Sequence, residues 1–323
     1  MKDNFQHQTV LLEEVVKGLE IKANQNFIDG TLGGGGHTEK ILEKNGPRGK
    51  VLAFELDQRA IKASQKRLNK YQKRLFIVNQ SYIHLAEEWQ KKQKEIGEIA
   101  GIVLDLGLSS DQLDSSGRGF SFKDQGPLDM RFDPKHQTLT AEDIILTWSE
   151  SELCKIFREY GEEPKAHILA QGLIKNRSSW IKQKQKFTTS MFVLTILRIL
   201  NIKETSLGRF RIHPATKVFQ ALRIAVNDEL NNVKTVLPQA VDILPSGGKI
   251  AVISFHSLED KIVKYFFKES SQTCVCPPQA PICNCDTEAK LKIITKKAIK
   301  PSSEEVKNNP RSRSAILRIA EKI

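Results

Sequence analysis

Short apolar runs alternate with amphipathic stretches through the first third of the chain. The apolar runs predict buried strands, and the recurrence of apolar residues every three to four positions between them, as in residues 58–71, predicts helices. The predicted strands are residues 27–29, 51–55, 75–78, 101–105, 249–255 and 315–319. Strands that alternate with helices are typical of βαβ units, so the pattern predicts an α/β protein with a mostly parallel sheet.

The alternation stops between residues 105 and 249, where only helical patterns follow one another. They cover residues 141–145, 149–159, 166–176, 190–200 and 214–226. Ser149 and Ser190 are candidate N-caps, and Pro214 suits a first helical turn. The sequence therefore predicts one α/β domain in two parts, interrupted by an inserted all-helical domain. The predicted boundaries are 1–112, 113–212 and 213–323, with 296–309 as an exposed connection before the last strand.

A run of four glycines follows the first predicted strand. The strand ends at Asp29, the glycines occupy 33–36, and a helical pattern begins at His37. Because glycine has no Cβ, such a loop can turn tightly and let a ligand approach the backbone. A strand, a glycine turn and a helix N-terminus make a nucleotide-sized cradle in an α/β sheet. A surface turn without a ligand is the alternative.

The spacing around the glycines indicates which nucleotide is bound. Thr38 stands where a dinucleotide fingerprint needs its third glycine, and no lysine follows as in a P-loop. The remaining pattern, an acid, three residues, Gly33, one residue and Gly35, resembles the first motif of S-adenosylmethionine-dependent methyltransferases. The next strand ends on Glu55, where a carboxylate can hold both ribose hydroxyls of an adenosine; Asp57 is the alternative.

A second polar cluster follows the strand 101–105. Asp105 ends this strand, and Ser109 and Ser110 come shortly after it. At the carboxyl edge of the sheet Asp105 is expected to face the cofactor. In the structural alternative, Asp105 caps a turn and the two serines begin a helix. The loop 116–133 mixes glycines, aromatics and charges, a composition typical of functional loops.

Positive charge is concentrated in the predicted insertion. The net charge is +12, and residues 165–217 contain eleven lysines and arginines against one acid. A solvated helix face normally mixes both signs, so this one-sided charge favours phosphate contacts. The RNA-binding candidates are Lys182, Lys184, Lys186, Arg209 and Arg211. The sequence shows no long apolar run and no signal peptide, so we expect a soluble, cytoplasmic protein without a membrane partner.

The cysteines suggest a metal site. Four of the five cysteines lie within twelve residues, at Cys274, Cys276, Cys283 and Cys285. Four thiols at this spacing can surround a tetrahedral zinc ion, and in a cytosolic protein metal is favoured over disulfides. Thiols without metal on a proline-stiffened loop are the other interpretation. Cys154 is predicted to be a core thiol of a helix.

Six motifs occur in an order that is specific to one family. They are Asp-Gly-Thr-Leu-Gly-Gly-Gly-Gly-His, Leu-Asp-Leu-Gly-Leu-Ser-Ser, Arg-Gly-Phe-Ser-Phe with Gly-Pro-Leu-Asp-Met-Arg, His-Pro-Ala-Thr-Lys-Val-Phe-Gln-Ala-Leu-Arg, Ser-Phe-His-Ser-Leu-Glu-Asp and Asn-Pro-Arg-Ser-Arg-Ser-Ala-Ile-Leu-Arg. With them the chain resembles, from Phe5 to its C-terminus, the bacterial 16S ribosomal RNA (cytosine-N4)-methyltransferase family, or MraW family.

The resemblance implies a fold, a reaction and a partner. The fold is a class I S-adenosylmethionine-dependent methyltransferase domain, Rossmann-like, with an inserted helical domain. The reaction is methylation of the exocyclic N4 of one cytidine in the decoding region of 16S rRNA, within the small ribosomal subunit. The oligomeric state stays open between monomer and homodimer. Carried over by position, the cofactor contacts are Gly35, Gly36, His37, Glu55, Tyr82, Asp105 and Gln112.

Two of these positions depart from the commonest family pattern. Glu55 stands where Asp is frequent, and Tyr82 where Phe is frequent. A longer carboxylate can still hold a ribose diol, and Tyr can still stack on adenine. Neither difference changes the implied cofactor.

The chemistry of the base also constrains the site. Cytosine N4 is a poor nucleophile, so the site must align it with the methyl donor and accept a hydrogen bond from the amine. Methylation of carbon 5 would need a cysteine nucleophile, which the cofactor motifs lack. The acceptor candidates are Asp105, Ser109 and Ser110, with His256 and Ser257 nearby. Two other functions stay open: methylation of a small molecule or lipid precursor, and a non-catalytic RNA-binding role in ribosome assembly.

Overall fold

The structure is a computed structural model, which describes residues 9–108, 117–122, 125–183, 187–274, 276, 285 and 287–323. The side chains of residues 182 and 183 are not described. The chain divides into two compact units. The first unit combines residues 9–107 with 230–323, and the second comprises residues 108–229.

The first unit is built on a seven-stranded sheet. Its strands are β1 Asn26–Asp29, β2 Val51–Phe54, β3 Leu75–Val78, β4 Ile99–Asp105, β5 Lys249–Ser254, β6 Leu291–Ile293 and β7 Ile316–Lys322. The strand order is β3-β2-β1-β4-β5-β7-β6. Strands β1 to β5 are parallel, whereas β7 runs antiparallel to both β5 and β6. The predicted α/β class with a mostly parallel sheet is therefore confirmed.

Twelve helices lie in the part of the chain that the structure describes. They are α1 Leu12–Leu19, α2 Gly36–Lys44, α3 Gln58–Arg67, α4 Leu85–Ile96, α5 Ala141–Thr147, α6 Glu150–Glu159, α7 Ala166–Gln183, α8 Thr189–Ile199, α9 Thr216–Asn227, α10 Glu229–Ile243, α11 Ser257–Ser270 and α12 Ser303–Asn308. Within the described residues, no helix is both long and apolar enough to cross a bilayer.

Both faces of the sheet are buried, as parallel strands require. Along β1, Phe27 and Ile28 point to opposite faces because side chains alternate along a strand. Phe27 packs with Val15 and Ile41 of the α1 and α2 side, whereas Ile28 packs with Leu237 of the α10 and α11 side. The resulting two-sided core holds the carboxyl ends of β1, β2, β4 and β5 along one edge.

Two elements of the first unit differ from the sequence prediction. Strand β6 was not predicted, because of its three residues only Leu291 is fully buried and the run carries no alternating pattern. The stretch 296–309, predicted as an exposed connection, contains α12, which Ser302 caps by accepting a hydrogen bond from the amide of Glu305. Glu305 in turn accepts a 2.8 Å hydrogen bond from the amide of Leu11, which ties α12 to the start of α1.

The second unit is helical, as predicted, and α5 to α9 share one core. Capping boxes begin α5 and α6, with Thr140 and Ser149 as the N-caps. The prediction of Ser190 as an N-cap is wrong: Thr188 caps α8 by accepting from the amide of Met191. The core residues include Ile144, Leu153, Phe157, Leu169, Leu173, Phe192, Ile196, Val218, Phe219 and Leu222.

The limits of the helical unit differ from the predicted boundaries 113 and 212. The unit runs from Leu108 to Glu229, so α9 belongs to it and not to the second part of the α/β domain. The reason is packing, because Val218 and Leu222 of α9 are fully buried in the helical core. An amphipathic pattern reveals that a helix has an apolar face but not which core receives it.

Candidate active site

Polar residues from four strands meet at the carboxyl edge of the sheet in the first unit. Asp29 ends β1, Glu55 follows β2 directly, Asp105 ends β4, and Phe255-His256 follows β5. These four strands are neighbours and parallel, so their carboxyl ends share one edge, where open α/β sheets bind ligands. The structure thus brings the glycine turn, Glu55 and Asp105 together as expected.

The glycine turn needs its glycines for two reasons. Gly33 and Gly35 have positive φ values of 48° and 78°, a region that favours glycine. A Cβ on Gly35 would lie 2.9 Å from Leu68 Cδ1, and a Cβ on Gly36 only 1.7 Å from Thr9 Oγ1. At these two positions the missing side chain makes room for the protein itself. Gly35→Val would therefore disturb the turn and its packing as well as any bound ligand.

Glu55 ties this turn to the neighbouring strand. Its Oε2 accepts a 2.8 Å hydrogen bond from the amide of Gly33, and its Oε1 accepts from the amides of Leu56 and Asp57. The residue is partly exposed, but its carboxyl group is surrounded by protein, and this desolvation raises the pKa of Glu55 to about 7. Asp57 instead caps α3 by accepting from the amide of Arg59, which favours Glu55 as the ligand-facing acid.

Asp29 organises the start of the loop, and the sequence analysis did not include it among the site residues. Its Oδ2 accepts a 2.6 Å hydrogen bond from Thr38 Oγ1, and its Oδ1 accepts from the amide of Thr31. Burial raises the pKa of Asp29 above its usual range. Thr31 Oγ1 also accepts a 2.6 Å hydrogen bond from the amide of Asp105, so it links β1 to β4. In the sequence, Asp29 ends a predicted strand and is the acid that opens the glycine motif, but neither signal reveals its hydrogen bonds.

Asp105 carries a buried carboxylate oxygen without a hydrogen bond. Its Oδ1 has no hydrogen-bond partner among the described residues, whereas its Oδ2 lies 3.8 Å from Nδ1 of the buried His37. The other ring nitrogen of His37 is 3.1 Å from the carbonyl oxygen of Val10, which orients the ring. Burial, followed by the negative charges of Asp29 and Glu259, raises the pKa of Asp105 well above its usual range.

His256 begins α11 as its N-cap. Its Nδ1 accepts a hydrogen bond from the amide of Glu259, and Glu259 Oε2 accepts from the amides of Phe255 and His256. His256 Nε2 lies 3.2 Å from Glu259 Oε1 without hydrogen-bond geometry. The cap accounts for Nδ1, whereas the buried Nε2 has no hydrogen-bond partner among the described residues. The same contacts place the buried Glu259, which was not predicted from the sequence, next to the site.

Tyr82 approaches the site from the end of β3. It begins a short 3-10 helix, Tyr82–His84, and packs half-buried against the apolar core. A Cβ added to Gly30, which follows β1, would lie 3.4 Å from Tyr82 Cβ. The side chain therefore neighbours the beginning of the glycine loop. The remaining predicted residues of the site, Ser109, Ser110 and Gln112, lie outside the described residues.

The predicted RNA-binding residues belong to the second unit. Arg209 and Arg211 are exposed on either side of Phe210, whose side chain is 43% exposed. Lys184 and Lys186 lie outside the described residues, and only the backbone of Lys182 is described. Two other basic residues of the segment have structural contacts. Arg177 donates to the carbonyl oxygens of Ile145 and Trp148, and Lys217 donates to that of Glu162.

The described cysteines occupy two places. Cys154 is partly buried on α6 and packs against the helical core, as predicted. Cys274, Cys276 and Cys285 follow α11, and their sulfur atoms all lie within 4.8 Å of one another. Cys283 lies outside the described residues.

The sequence matches the MraW methylase family over residues 4–323. It is 46% identical over 319 residues to ribosomal RNA small subunit methyltransferase H of Halothermothrix orenii, covering 99% of both chains. The proteins of the same name from Thermomicrobium roseum and Clostridioides difficile are 44% and 42% identical, covering 94% and 99% of those chains. The chain belongs to the MraW methylase family.

Membership in the family agrees with the fold of this MraW methylase. The predicted class I methyltransferase fold is confirmed, with the sheet order and the antiparallel β7 described above. The family match covers residues of both units, so the helical unit is not an addition specific to this chain.

Proposed function

We propose that this protein transfers a methyl group from S-adenosylmethionine to the exocyclic N4 of a cytidine in the decoding region of 16S rRNA, acting on small ribosomal subunits in the cytoplasm. The relatives named ribosomal RNA small subunit methyltransferase H support the RNA substrate. The observation that carries the proposal is the buried Oδ1 of Asp105, an acceptor that has no hydrogen bond within the described structure and belongs to a residue in contact with Thr31 and His37, on either side of the glycine run.

The carboxyl edge suits a cationic nucleotide. Two acids, Asp29 and Glu259, are close enough to raise the pKa of Asp105 by their charge, so a positively charged ligand would relieve the repulsion among the three carboxyl groups. S-adenosylmethionine fits this requirement, and when bound it supplies the methyl group from its sulfonium centre.

Several residues would hold this cofactor. Glu55 would accept hydrogen bonds from the ribose hydroxyls, and Tyr82 would stack on the adenine. The backbone of Gly35 and Gly36 would line the loop, and Gln112 would add a contact from beyond β4. His37 would line the site beside Asp105, since its Nδ1 lies 3.8 Å from Asp105 Oδ2.

Asp105 is also the best-supported acceptor for the amine. A carboxylate oxygen directed at the exocyclic amine holds N4 in line for attack and stabilises the positive charge that develops on it. Ser109 and Ser110 stay candidates for a second contact. His256 also stays a candidate: its Nδ1 caps α11, but its buried Nε2 has no hydrogen bond within the described structure.

The second unit would bind the RNA. Phe210 is an exposed aromatic ring between two exposed arginines, a combination that can stack on an unpaired base while the guanidinium groups contact phosphates. Lys182, Lys184 and Lys186 would supply further phosphate contacts.

Mass spectrometry of nucleosides tests the proposal against its alternatives. The protein is incubated with labelled S-adenosylmethionine and, separately, small subunits, protein-free 16S rRNA and a small-molecule extract. We expect N4-methylcytidine from small subunits. Label in the extract alone would favour a small-molecule or lipid-precursor substrate. RNA binding without label in any arm would favour a non-catalytic assembly factor.

A further inference from the structure

Three thiols converge beyond the end of α11, in a part of the first unit that the proposed methyl transfer does not use. The Sγ atoms of Cys274, Cys276 and Cys285 lie within 4.8 Å of one another although up to eleven residues separate them in sequence. Thiolates around a tetrahedral zinc ion are bound at about 2.3 Å each, which places the sulfur atoms roughly 3.8 Å apart, so the three thiols are near the separation that zinc requires.

The ends of the cysteine loop are held together by backbone contacts. The amide of Lys290, which precedes β6, donates a 2.8 Å hydrogen bond to the carbonyl oxygen of Ser270, the last residue of α11. The three thiols therefore lie in a loop whose two ends the backbone already holds together. Loop closure then adds little to the entropic cost of binding a metal ion, which favours binding.

One of the three thiols accepts a hydrogen bond from the backbone. The amide of Cys276 donates to Cys274 Sγ at 3.4 Å. This bond fixes the position of Cys274 Sγ beside the backbone of Cys276. Thr287 Oγ1 also donates to the carbonyl oxygen of Cys285, which holds the backbone of the third cysteine.

We propose that Cys274, Cys276 and Cys285 bind a structural Zn²⁺ ion. On binding, each thiol releases its proton to solvent and its sulfur forms a bond to zinc, so no oxidant or reductant is involved. A fourth ligand, a water molecule or a further side chain, completes the tetrahedron. Zinc is favoured over other metals because a tetrahedral set of thiolates is its preferred environment.

Elemental analysis of the full-length chain tests this proposal. The protein is expressed without a histidine tag, purified under reducing conditions without chelator, and analysed by mass spectrometry for metals. We expect about one zinc per chain, a content near zero for the double variant Cys274→Ser/Cys285→Ser, and full content for the matched control Cys154→Ser, whose thiol lies on α6. Zinc retained in the double variant would overturn the site.

A second readout does not depend on the folding of a variant. Cobalt exchanged into the wild-type protein is expected to give the intense visible bands and the near-ultraviolet sulfur-to-cobalt band of tetrahedral thiolate coordination. Titration with a thiol-specific mercurial should release zinc in step with loss of these thiols. The proposal would be contradicted if the protein held iron and inorganic sulfide, or if the loop cysteines formed a disulfide. It would also be contradicted if the wild type bound no zinc after incubation with zinc under reducing conditions.

Discussion

The amide of Gly33 donates a 2.8 Å hydrogen bond to Oε2 of Glu55, twenty-two residues further along the chain. This bond fastens the glycine turn after β1 to the carboxyl end of β2. The same carboxylate is the proposed partner of the cofactor ribose. The shape of the glycine turn and the affinity for the cofactor should therefore both depend on whether the Glu55 carboxyl is ionised.

The pKa of Glu55 makes stability depend on pH. In the folded protein the pKa is about 7, against 4.5 for the ordinary carboxyl, so between these values the folded state holds a proton that the unfolded chain has released. The free energy of unfolding should therefore fall as pH rises across this window. Ionisation of Glu55 should lower the free energy of unfolding by about 2–3 kcal/mol across this window. This is less than the full pKa shift would give, because the residue is partly exposed.

Urea denaturation of the wild type and Glu55→Gln at about pH 5 and pH 8 measures this contribution. The variant should lose less stability across the window than the wild type. The difference between the two proteins is the readout, because Asp29 and Asp105 act in the same direction in both. Parallel curves would show that Glu55 does not titrate in this range.

Asp105 should make cofactor binding depend on pH and on charge. In the ligand-free protein its raised pKa favours the protonated form, whereas the sulfonium cation of S-adenosylmethionine favours the ionised form. Binding should release a proton, so affinity should rise with pH below the raised pKa, by up to about tenfold per pH unit. S-adenosylhomocysteine, whose sulfur is neutral, should respond less. Calorimetry with both ligands at several pH values measures the difference, and identical profiles would contradict this role.

Asp105→Asn should separate activity from stability. The substitution keeps the shape of the side chain but removes the negative charge, so methyl transfer to small subunits should fall by about a hundredfold or more. The melting temperature should stay the same or rise, because the neutral amide removes the charge repulsion that Asp29 and Glu259 exert on the Asp105 carboxylate. Cys154→Ala serves as the control and should remain active. Normal methylation by Asp105→Asn would remove Asp105 from the mechanism.

Charge reversal should weaken RNA binding without affecting the cofactor. Arg209→Glu/Arg211→Glu removes two exposed positive charges of the second unit, so the affinity for small subunits and its salt dependence should both decrease. The matched control is Lys62→Glu/Lys66→Glu, which reverses two exposed charges on α3. Filter binding at several salt concentrations compares the two variants. Equal losses would indicate a general effect of net charge and not a specific surface.

The product should carry the methyl group on nitrogen. None of the residues described at the carboxyl edge is a cysteine, so no covalent bond to the cytosine ring is expected. RNA containing 5-fluorocytosine should therefore form no adduct that survives denaturing electrophoresis. An adduct, or 5-methylcytidine among the nucleosides, would show that the reaction follows another chemistry.

Local patterns were sufficient for most elements of the fold. Six of the seven strands and the helices α5 to α9 follow from apolar periodicity, because periodicity records which side of an element faces a core. Strand β6 was missed because three residues are too few to show a period. The end of the helical unit at Glu229 was missed because α9 has one apolar face and could have packed in either unit.

The sequence by itself determined the fold class, the glycine turn and the acids at the strand ends, since each is a feature of consecutive residues. Only the tertiary structure decided how these acids interact. The charge that Asp29 and Glu259 impose on Asp105 depends on the order of β1, β4 and β5 in the sheet. The same holds for the link through Thr31 between β1 and β4. Electrostatic energy depends on distance and burial, and these are set only when strands far apart in sequence become neighbours.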